Sequence, residues 1–215
     1  MKEKHMPYYE LLNACGKNEC PVCFLVKHGI KRYFDSLLYE SVNDVGLRQE
    51  FVSDKGFCNF HSYKLLGYHD DLAFSIMHLD LLRNEIKELK VSRLKPKETK
   101  NCIVCKLSRA SEIRYIGLIK DYLNDEEFKI RFLESKGLCV PHYEMLKSEV
   151  KKLPKWFNSF QIKKYEELYE YLDRFNDSFN ASHGRKRLAL TDDEKESCNR
   201  TARTLFGYEG RIQVK

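Results

Sequence analysis

The chain carries one pattern of cysteines and a histidine twice, and this repeat constrains its fold more than any other feature of the sequence. The pattern is Cys-x2-Cys followed by Gly-x-Cys-x2-His. Its two copies comprise Cys20, Cys23, Cys58 and His61 in the first repeat and Cys102, Cys105, Cys139 and His142 in the second. Thirty-four residues separate the second and third cysteines of the first copy and thirty-three separate those of the second, so the copies align with one deletion. The sequence therefore indicates a tandem duplication of one unit.

Apolar residues within each repeat recur at the spacing of a helix. After the first cysteine pair they step by three or four residues, as on the core-facing stripe of a helix, through Val26, Ile30, Phe34 and Leu37. A longer element with the same periodicity follows the histidine of each repeat. These elements contain Leu72, Ile76, Leu79, Leu82, Ile86 and Leu89 in the first repeat and Phe157, Tyr165, Leu168, Leu172, Phe175 and Phe179 in the second. No stretch alternates apolar and polar residues in the manner of a strand, so we predict an all-α fold.

Several residues mark where the helices begin and end. Asn43-Asp44 offers an N-terminal cap for a short helix, and Gly56 stands where a helix C-terminus often needs a left-handed residue. Pro154 suits the first turn of the long helix in the second repeat. Thr191 and Glu194 have the spacing of a capping box, which predicts a short C-terminal helix that ends near Gly207.

These elements predict a tandem duplication of a metal-binding helical unit, packed as a helical bundle, with a C-terminal helical appendage. The first unit spans residues 1–90 and the second spans residues 102–180. The connector between them, residues 91–101, is polar, basic and interrupted by Pro96. A C-terminal loop and short helix occupy residues 181–215.

The repeated cysteines and histidines form two candidate metal sites. Three thiolates and one imidazole complete a tetrahedral shell for zinc, and two cysteines three residues apart near a helix start let both sulfurs reach one ion. We predict that each repeat closes its own shell around one zinc ion. The first site would use Cys20, Cys23, Cys58 and His61, and the second would use Cys102, Cys105, Cys139 and His142.

Other thiol chemistries fit the pattern less completely. Cys15 lies at the spacing that plant-type ferredoxins use ahead of a Cys-x2-Cys pair, but Lys97 holds the equivalent position in the second repeat. A Cys3His iron–sulfur cluster in both repeats remains an alternative, as does a redox dithiol at Cys20 and Cys23. A covalent haem requires a histidine directly after the second cysteine, where Phe24 and Lys106 stand.

The sequence favours a protein without catalytic residues. A shell of four protein ligands leaves no open position for substrate, and His28, His69 and His78 are typical of surface or capping positions. Cys15 and Cys198 have no counterparts between the repeats and are more typical of packed thiols than of nucleophiles. We assign no catalytic residue and lean towards a binding or scaffold module, with a redox or electron-transfer protein as the alternative.

Composition bounds the partners and the compartment. The net charge of +6 arises from 38 basic and 32 acidic residues spread evenly along the chain, and the run Arg185-Lys186-Arg187 is typical of a solvated loop. We therefore expect a protein partner and no nucleic acid. No apolar run is long enough to span a membrane and the N-terminus lacks the apolar stretch of a secretory signal, so we expect a cytoplasmic protein with reduced cysteines.

Longer motifs carry a resemblance to a known family. They are the early ECPVC, the run SLLYESVNDVGLRQEF leading to GFCNFH, the second NCIVC with GLCVPH, and the late YEYLDRFND. With these motifs the chain resembles an uncharacterised family of bacterial and archaeal proteins, domain of unknown function 6062. The resemblance spans most of the chain and implies a helical, metal-binding protein, without implying an activity.

Overall fold

The computed structural model describes residues 4–91, 102–180 and 189–211 of the 215-residue chain. The regular structure within these ranges is helical and no strand occurs there, which confirms the predicted all-α fold. The helices are α1 (Met6–Cys15), α2 (Pro21–Ser36, extended by a π-helical turn over Leu37–Ser41), α3 (Val45–Ser53), α4 (Asn59–Leu66), α5 (Asp71–Lys90), α6 (Ile103–Tyr122), α7 (Glu126–Leu133), α8 (Val140–Glu149), α9 (Lys155–Asn180), α10 (Asp192–Lys195) and α11 (Ser197–Phe206). The predicted connector, apart from Val91, and the run Arg185-Lys186-Arg187 lie outside the described residues.

The order of helices repeats as the sequence does. Helices α2 to α5 form the first repeat and α6 to α9 the second, each as a long, a short, a short and a long helix. The short helices α3 and α7 begin alike, because the carboxylates of Asp44 and Asp125 accept hydrogen bonds from the backbone N–H groups of Leu47 and Phe128. The cap predicted at Asn43-Asp44 is therefore confirmed, with Asp44 as the capping residue.

The ends of the chain's helices also follow the sequence signals. Gly56 adopts a φ of 72° and Gly137 a φ of 75°, the left-handed conformation that glycine takes without strain. The capping box of Thr191 and Glu194 opens α10, and α11 ends at Phe206 with Gly207 as its C-terminal cap. Helix α9 begins at Lys155, directly after Pro154.

The chain divides into two compact units, and each takes helices from both repeats. Among the described residues, the first compact unit comprises those up to Leu25 together with those from Glu112 to Arg211, and the second comprises those from Val26 to Ser111. The start of α2 and the end of α6 therefore belong to the first compact unit, whereas the end of α2 and the start of α6 belong to the second.

The first compact unit is built around aromatic side chains. Phe128 and Phe132 of α7 are fully buried, and the ring of Phe132 stacks on that of Phe157 from α9 at 4.8 Å between centroids. Helix α1 packs against α7, and α11 packs against both α8 and α9. The C-terminal helices are thus packed onto this unit.

The second compact unit has its own aromatic core. Phe57 makes edge-to-face contacts with Phe34 and Phe51, at 5.6 Å and 4.9 Å between ring centroids. Helix α5 packs against α3 and buries Ala73 and Met77. The prediction that the apolar stripe of α5 faces the core is wrong for five of its six members. The five that are exposed to solvent are Leu72, Leu79, Leu82, Ile86 and Leu89. Periodicity identified the helix, but the buried face is the one that carries Ala73 and Met77.

Candidate metal centres

Each pair of predicted ligands lies at the start of one helix. Cys58 and Cys139 are the residues that cap α4 and α8, and His61 and His142 follow three residues later. Cys20 and Cys102 directly precede α2 and α6, and their carbonyl groups accept the first helical hydrogen bonds, from Phe24 and Lys106. A capping residue and the third residue of a helix point their side chains to the same side of the helix end. Because the two residues of each pair are three positions apart, each of these helix N-termini presents two potential ligand atoms on one side.

The start of α2 meets the start of α8 in the first compact unit. This group, the first centre, consists of Cys20, Cys23, Cys139 and His142, all of them buried. The Nδ1 atom of His142 lies 3.5 Å from the Sγ atoms of Cys20 and Cys23 and 3.1 Å from that of Cys139. The Sγ atoms of Cys23 and Cys139 are 3.6 Å apart.

The start of α4 meets the start of α6 in the second compact unit with nearly the same geometry. This group, the second centre, consists of Cys58, His61, Cys102 and Cys105, of which Cys105 is half-buried and the others are buried. The Nδ1 atom of His61 lies 3.2 Å, 3.5 Å and 3.3 Å from the three sulfurs in chain order. The Sγ atoms of Cys58 and Cys105 are 3.6 Å apart.

The prediction that each repeat closes its own shell is wrong. Each centre combines the Cys-x2-Cys pair of one repeat with the Cys-x2-His pair of the other. The spacing within a pair determines which ligands share a helix start, and that part of the pattern is local. Which two helix starts meet depends on tertiary packing, because two repeats with the same ligand pattern allow either pairing. The eight residues themselves are the ones that the structure brings together, and their role as metal ligands stays a prediction.

The ligand atoms of each centre lie close enough together to hold one metal ion. The four ligand atoms of each group all lie within 4.8 Å of one another. Around a tetrahedral zinc ion with Zn–S bonds of about 2.3 Å, neighbouring sulfurs are about 3.8 Å apart. Both groups could therefore hold a metal ion as a four-ligand shell.

The electrostatics of each centre favour thiolates and a cation. Two helix N-termini point at each group of sulfurs, and their partial positive charge stabilises negative charge on the ligands. Burial opposes a charge on Cys20, but hydrogen bonds with the thiols of Cys139 and Cys23 hold its pKa well below the usual range. The side-chain contact with Cys105 lowers the pKa of Cys102 to about 3. In both centres, therefore, the cysteine directly ahead of the helix is the one whose pKa is lowered.

A buried carboxylate supports the histidine of the first centre. The Nε2 atom of His142 lies 3.2 Å from Oε1 of Glu112, a residue of α6 that is only 3% exposed. Arg211 donates a hydrogen bond of 2.8 Å from Nε to the same carboxylate oxygen. A carboxylate behind a ligating histidine fixes the ring and leaves Nδ1 free to bind metal.

A second buried group holds the ligand-bearing turn of the first centre. The amide of Gln161 accepts a hydrogen bond of 2.8 Å from the backbone N–H of Leu138 and donates one of 3.0 Å to the carbonyl of Leu138. Leu138 lies between Gly137 and the predicted ligand Cys139. A side chain at Gly137 would come within 3.0 Å of Gln161, so the glycine permits this close approach.

The second centre has apolar residues in the corresponding places. The first repeat has Ile30 at the position of Glu112, and Leu81 takes the place of Gln161 as the side chain closest to the glycine, Gly56. The Nε2 atom of His61 is buried and has no hydrogen-bond partner among the described residues. The two centres therefore have the same types of predicted ligand but differ in the groups that support them.

Sequence reasoning missed Glu112, Arg211 and Gln161. The alignment of the repeats contained a signal for the first of these, because Glu112 and Ser108 interrupt a stripe that is apolar in the first repeat, at Ile30 and Val26. A charged residue in a core-facing stripe needs a buried partner. Arg211 follows the last helix and has no counterpart in the first repeat, so no pattern pointed to it.

Comparison with family models identifies the relatives of the chain. The model of a family of unknown function matches twice in succession, over residues 1–99 and 90–182. The chain belongs to this family, DUF6062. The two matches coincide with the two repeats and confirm the resemblance inferred from the sequence motifs.

A curated relative of this DUF6062 protein is an uncharacterised 23.9 kDa protein in the xynA 3' region of Caldicellulosiruptor sp. (strain Rt8B.4). The two are 31% identical over 131 residues, which cover 59% of this chain and 64% of the relative. The chain therefore spans slightly less than two thirds of the length of that protein. No solved structure matches the chain.

Two further cysteines of this DUF6062 protein belong to neither centre. None of the eight cysteines forms a disulfide. Cys15 is buried, and burial raises the pKa of its thiol to about 12, which makes it a poor nucleophile. Cys198 is exposed on α11 and belongs to neither group. None of the described helices is long and apolar enough to span a bilayer.

Proposed function

We propose that the protein is a non-enzymatic zinc protein of the cytoplasm, in which two structural ions hold a helical scaffold that binds another protein. One observation carries the proposal: two groups of three cysteines and a histidine each gather their ligand atoms within 4.8 Å, at the meeting of two helix N-termini. The donor set, the tight spacing and the burial are those of structural zinc sites.

The chemistry of the donors supports zinc over other ions. Thiolate and imidazole ligands suit a borderline-soft ion, whereas calcium and magnesium take oxygen ligands. Four protein ligands fill a tetrahedral shell, so neither centre offers a position where substrate or water would bind the ion. The metal would then act by joining the starts of helices from the two repeats, at positions remote from each other in the sequence.

Metal analysis of protein purified without oxygen or added metal tests the proposal. We expect a colourless protein with about two zinc ions per chain. Visible absorption with stoichiometric iron would instead support the alternative function, an iron–sulfur protein of redox or electron-transfer type. The Cys15→Ala variant is the matched control, because it removes a buried thiol and should keep both ions.

Chelation tests whether the metal is structural. Removing structural zinc costs on the order of 10 kcal/mol of folding free energy, so the stripped protein should lose helicity and its cooperative thermal transition, and zinc should restore both. Circular dichroism before and after chelation measures this. Unchanged helicity and melting temperature after complete removal of the metal would show that the ions are not structural.

A further inference from the structure

Helix α5 presents a row of large apolar side chains to solvent. Its members, the α5 stripe, are Leu72, Leu79, Leu82, Ile86 and Leu89. Each is between 44% and 72% exposed. Single exposed leucines are common on protein surfaces, whereas a row of five large apolar residues is not. The opposite side of the same helix buries Ala73 and Met77, so α5 is apolar on both sides.

The spacing along the α5 stripe is that of a coiled-coil seam. Successive members are seven, three, four and three residues apart, and Ser75 occupies the one remaining seam position. A repeat of seven residues with two apolar positions keeps those positions on one line, where a second helix can pack against them. A helix that packs only against its own core has no need of this second seam.

The fold does not require the α5 stripe, since the equivalent helix of the second repeat lacks it. The register between α5 and α9 follows from the contacts at the left-handed glycines, where Leu81 approaches Gly56 and Gln161 approaches Gly137. Buried positions agree in this register, because Met77 corresponds to Phe157. The residues of the second repeat that correspond to the α5 stripe are Lys152, which lies just before α9, and Ser159, Ile162, Glu166 and Tyr169 of α9. Polar residues thus replace three of the five apolar ones.

We propose that the α5 stripe is a self-association surface, on which α5 of a second copy of this chain packs in parallel. Charge complementarity favours a second copy in this orientation. Glu85 and Lys90 flank the seam five residues apart, at one pair of positions that face each other across a parallel pair of helices. The two-fold symmetry of a dimer would form this ion pair twice.

The size of the surface also suits a dimer of this kind. The 20 residues of α5 extend over about 30 Å, and pairing two stripes would bury ten large apolar side chains. This buries on the order of 1,000 Å² in total, which is near the lower limit for a specific interface. Because α5 is already folded against its own unit, pairing does not have to order the helix. We expect a dissociation constant on the order of micromolar.

This inference goes beyond the proposed function and does not rest on metal binding. Its evidence is the spacing, exposure and charge of α5, which contributes no ligand to either centre. A dimer could form whichever ion the centres hold. The oligomeric state and the metal content are separate measurements, so the failure of one proposal is distinguishable from the failure of the other.

Sedimentation of the full chain between about 1 and 100 µM tests the surface. We expect a monomer–dimer equilibrium for the wild type and a dissociation constant raised by more than about 100-fold in Leu82→Glu, because each copy would then place a charge in the seam. The matched control is Ile162→Glu, which alters the corresponding exposed residue of α9 and should leave the dimer intact. A monomeric wild type, or a dimer that Leu82→Glu leaves unchanged, would overturn the proposal.

A charge exchange tests the parallel orientation without altering the seam. Glu85→Lys and Lys90→Glu should each raise the dissociation constant by about 3-fold to 10-fold, because each places like charges opposite one another. The double variant restores the pairing with its signs exchanged and should dimerise like the wild type. If the double variant is weaker than both single variants, the helices do not pair in parallel and the proposal fails in that respect.

Discussion

The two ring nitrogens of His142 have different partners, and this sets the first centre apart from the second. Nδ1 faces the three sulfurs, while Nε2 faces the buried carboxylate of Glu112, which also accepts a hydrogen bond from Arg211. In the second centre the Nε2 atom of His61 has no such partner among the described residues. We infer that the first centre fixes its imidazole more firmly and should release its ion more slowly.

Replacing Glu112 should remove this difference. In Glu112→Ile, which copies the residue at the equivalent position of the first repeat, we expect zinc transfer from the first centre to a chromogenic chelator to accelerate by about 10-fold to 100-fold. Glu112→Gln keeps a hydrogen-bonding side chain and should have a smaller effect. Stopped-flow or manual-mixing absorbance measures both phases of transfer.

A surface carboxylate provides the control for this experiment. Glu149→Gln removes an exposed partner of Lys120 and should leave both rates of zinc transfer as in the wild type. The total zinc released should remain about two ions per chain in all three variants. Equal rates in Glu112→Ile and the wild type would show that the carboxylate does not position His142.

At the scale of elements, the caps of α3 and α7 do the same local task in different surroundings. Asp44 caps α3 from an exposed position. Asp125 caps α7 and also accepts a hydrogen bond of 2.8 Å from the hydroxyl of Tyr8, with Lys4 at 2.9 Å. The second cap therefore ties α7 to α1 as well as starting its own helix.

Removal of the two caps should consequently have unequal costs. We expect Asp44→Ala to lower the free energy of unfolding by about 1 kcal/mol, and Asp125→Ala by about 2 kcal/mol because it also leaves the Tyr8 hydroxyl without this acceptor. Denaturant melts of the metal-loaded protein measure both. Asn43→Ala and Asn124→Ala alter exposed neighbours and serve as controls. An effect of Asp125→Ala no larger than that of Asp44→Ala would contradict the proposed link to α1.

Most of the elements could be predicted from the sequence because their signals are local. The caps at Asp44 and Thr191, the left-handed Gly56 and the helical spacing all depend on residues a few positions apart. The buried side of α5 could not be predicted in this way, because apolar residues lie on two sides of the helix. The side that packs, with Ala73 and Met77, carries fewer large apolar residues than the exposed side. Burial depends on contacts between elements, which periodicity does not contain.

At the scale of the whole molecule, the exchange of ligand pairs between repeats is the feature that local signals could not predict. All eight residues of the two groups were identifiable from their spacing. The sequence could not show which Cys-x2-Cys pair meets which Cys-x2-His pair, because both repeats carry the same pattern. Each compact unit gains one complete group by combining one helix start from each repeat. The folding of either unit therefore depends on both halves of the chain.

Pairs of cysteine substitutions distinguish the two ways of pairing. Cys23→Ala with Cys139→Ala alters the first centre alone, so this variant should retain about one zinc ion per chain. Cys23→Ala with Cys58→Ala alters both centres and should retain none. If each repeat instead closed its own group, the first variant would retain no zinc and the second would retain about one ion. Metal analysis with Cys15→Ala and Cys198→Ala as the control pair, which should retain two ions, decides between them.

The exchange also bears on how such a chain could arise. One repeat alone supplies two ligands to each of two groups and completes neither, so an ancestor with a single repeat would have had to associate with an identical chain to bind metal. Joining two copies in one polypeptide released them from the requirement to be identical. The second repeat has Glu112 where the first has Ile30, and α9 has polar residues where α5 has apolar ones. A symmetric ancestor could not have had these differences.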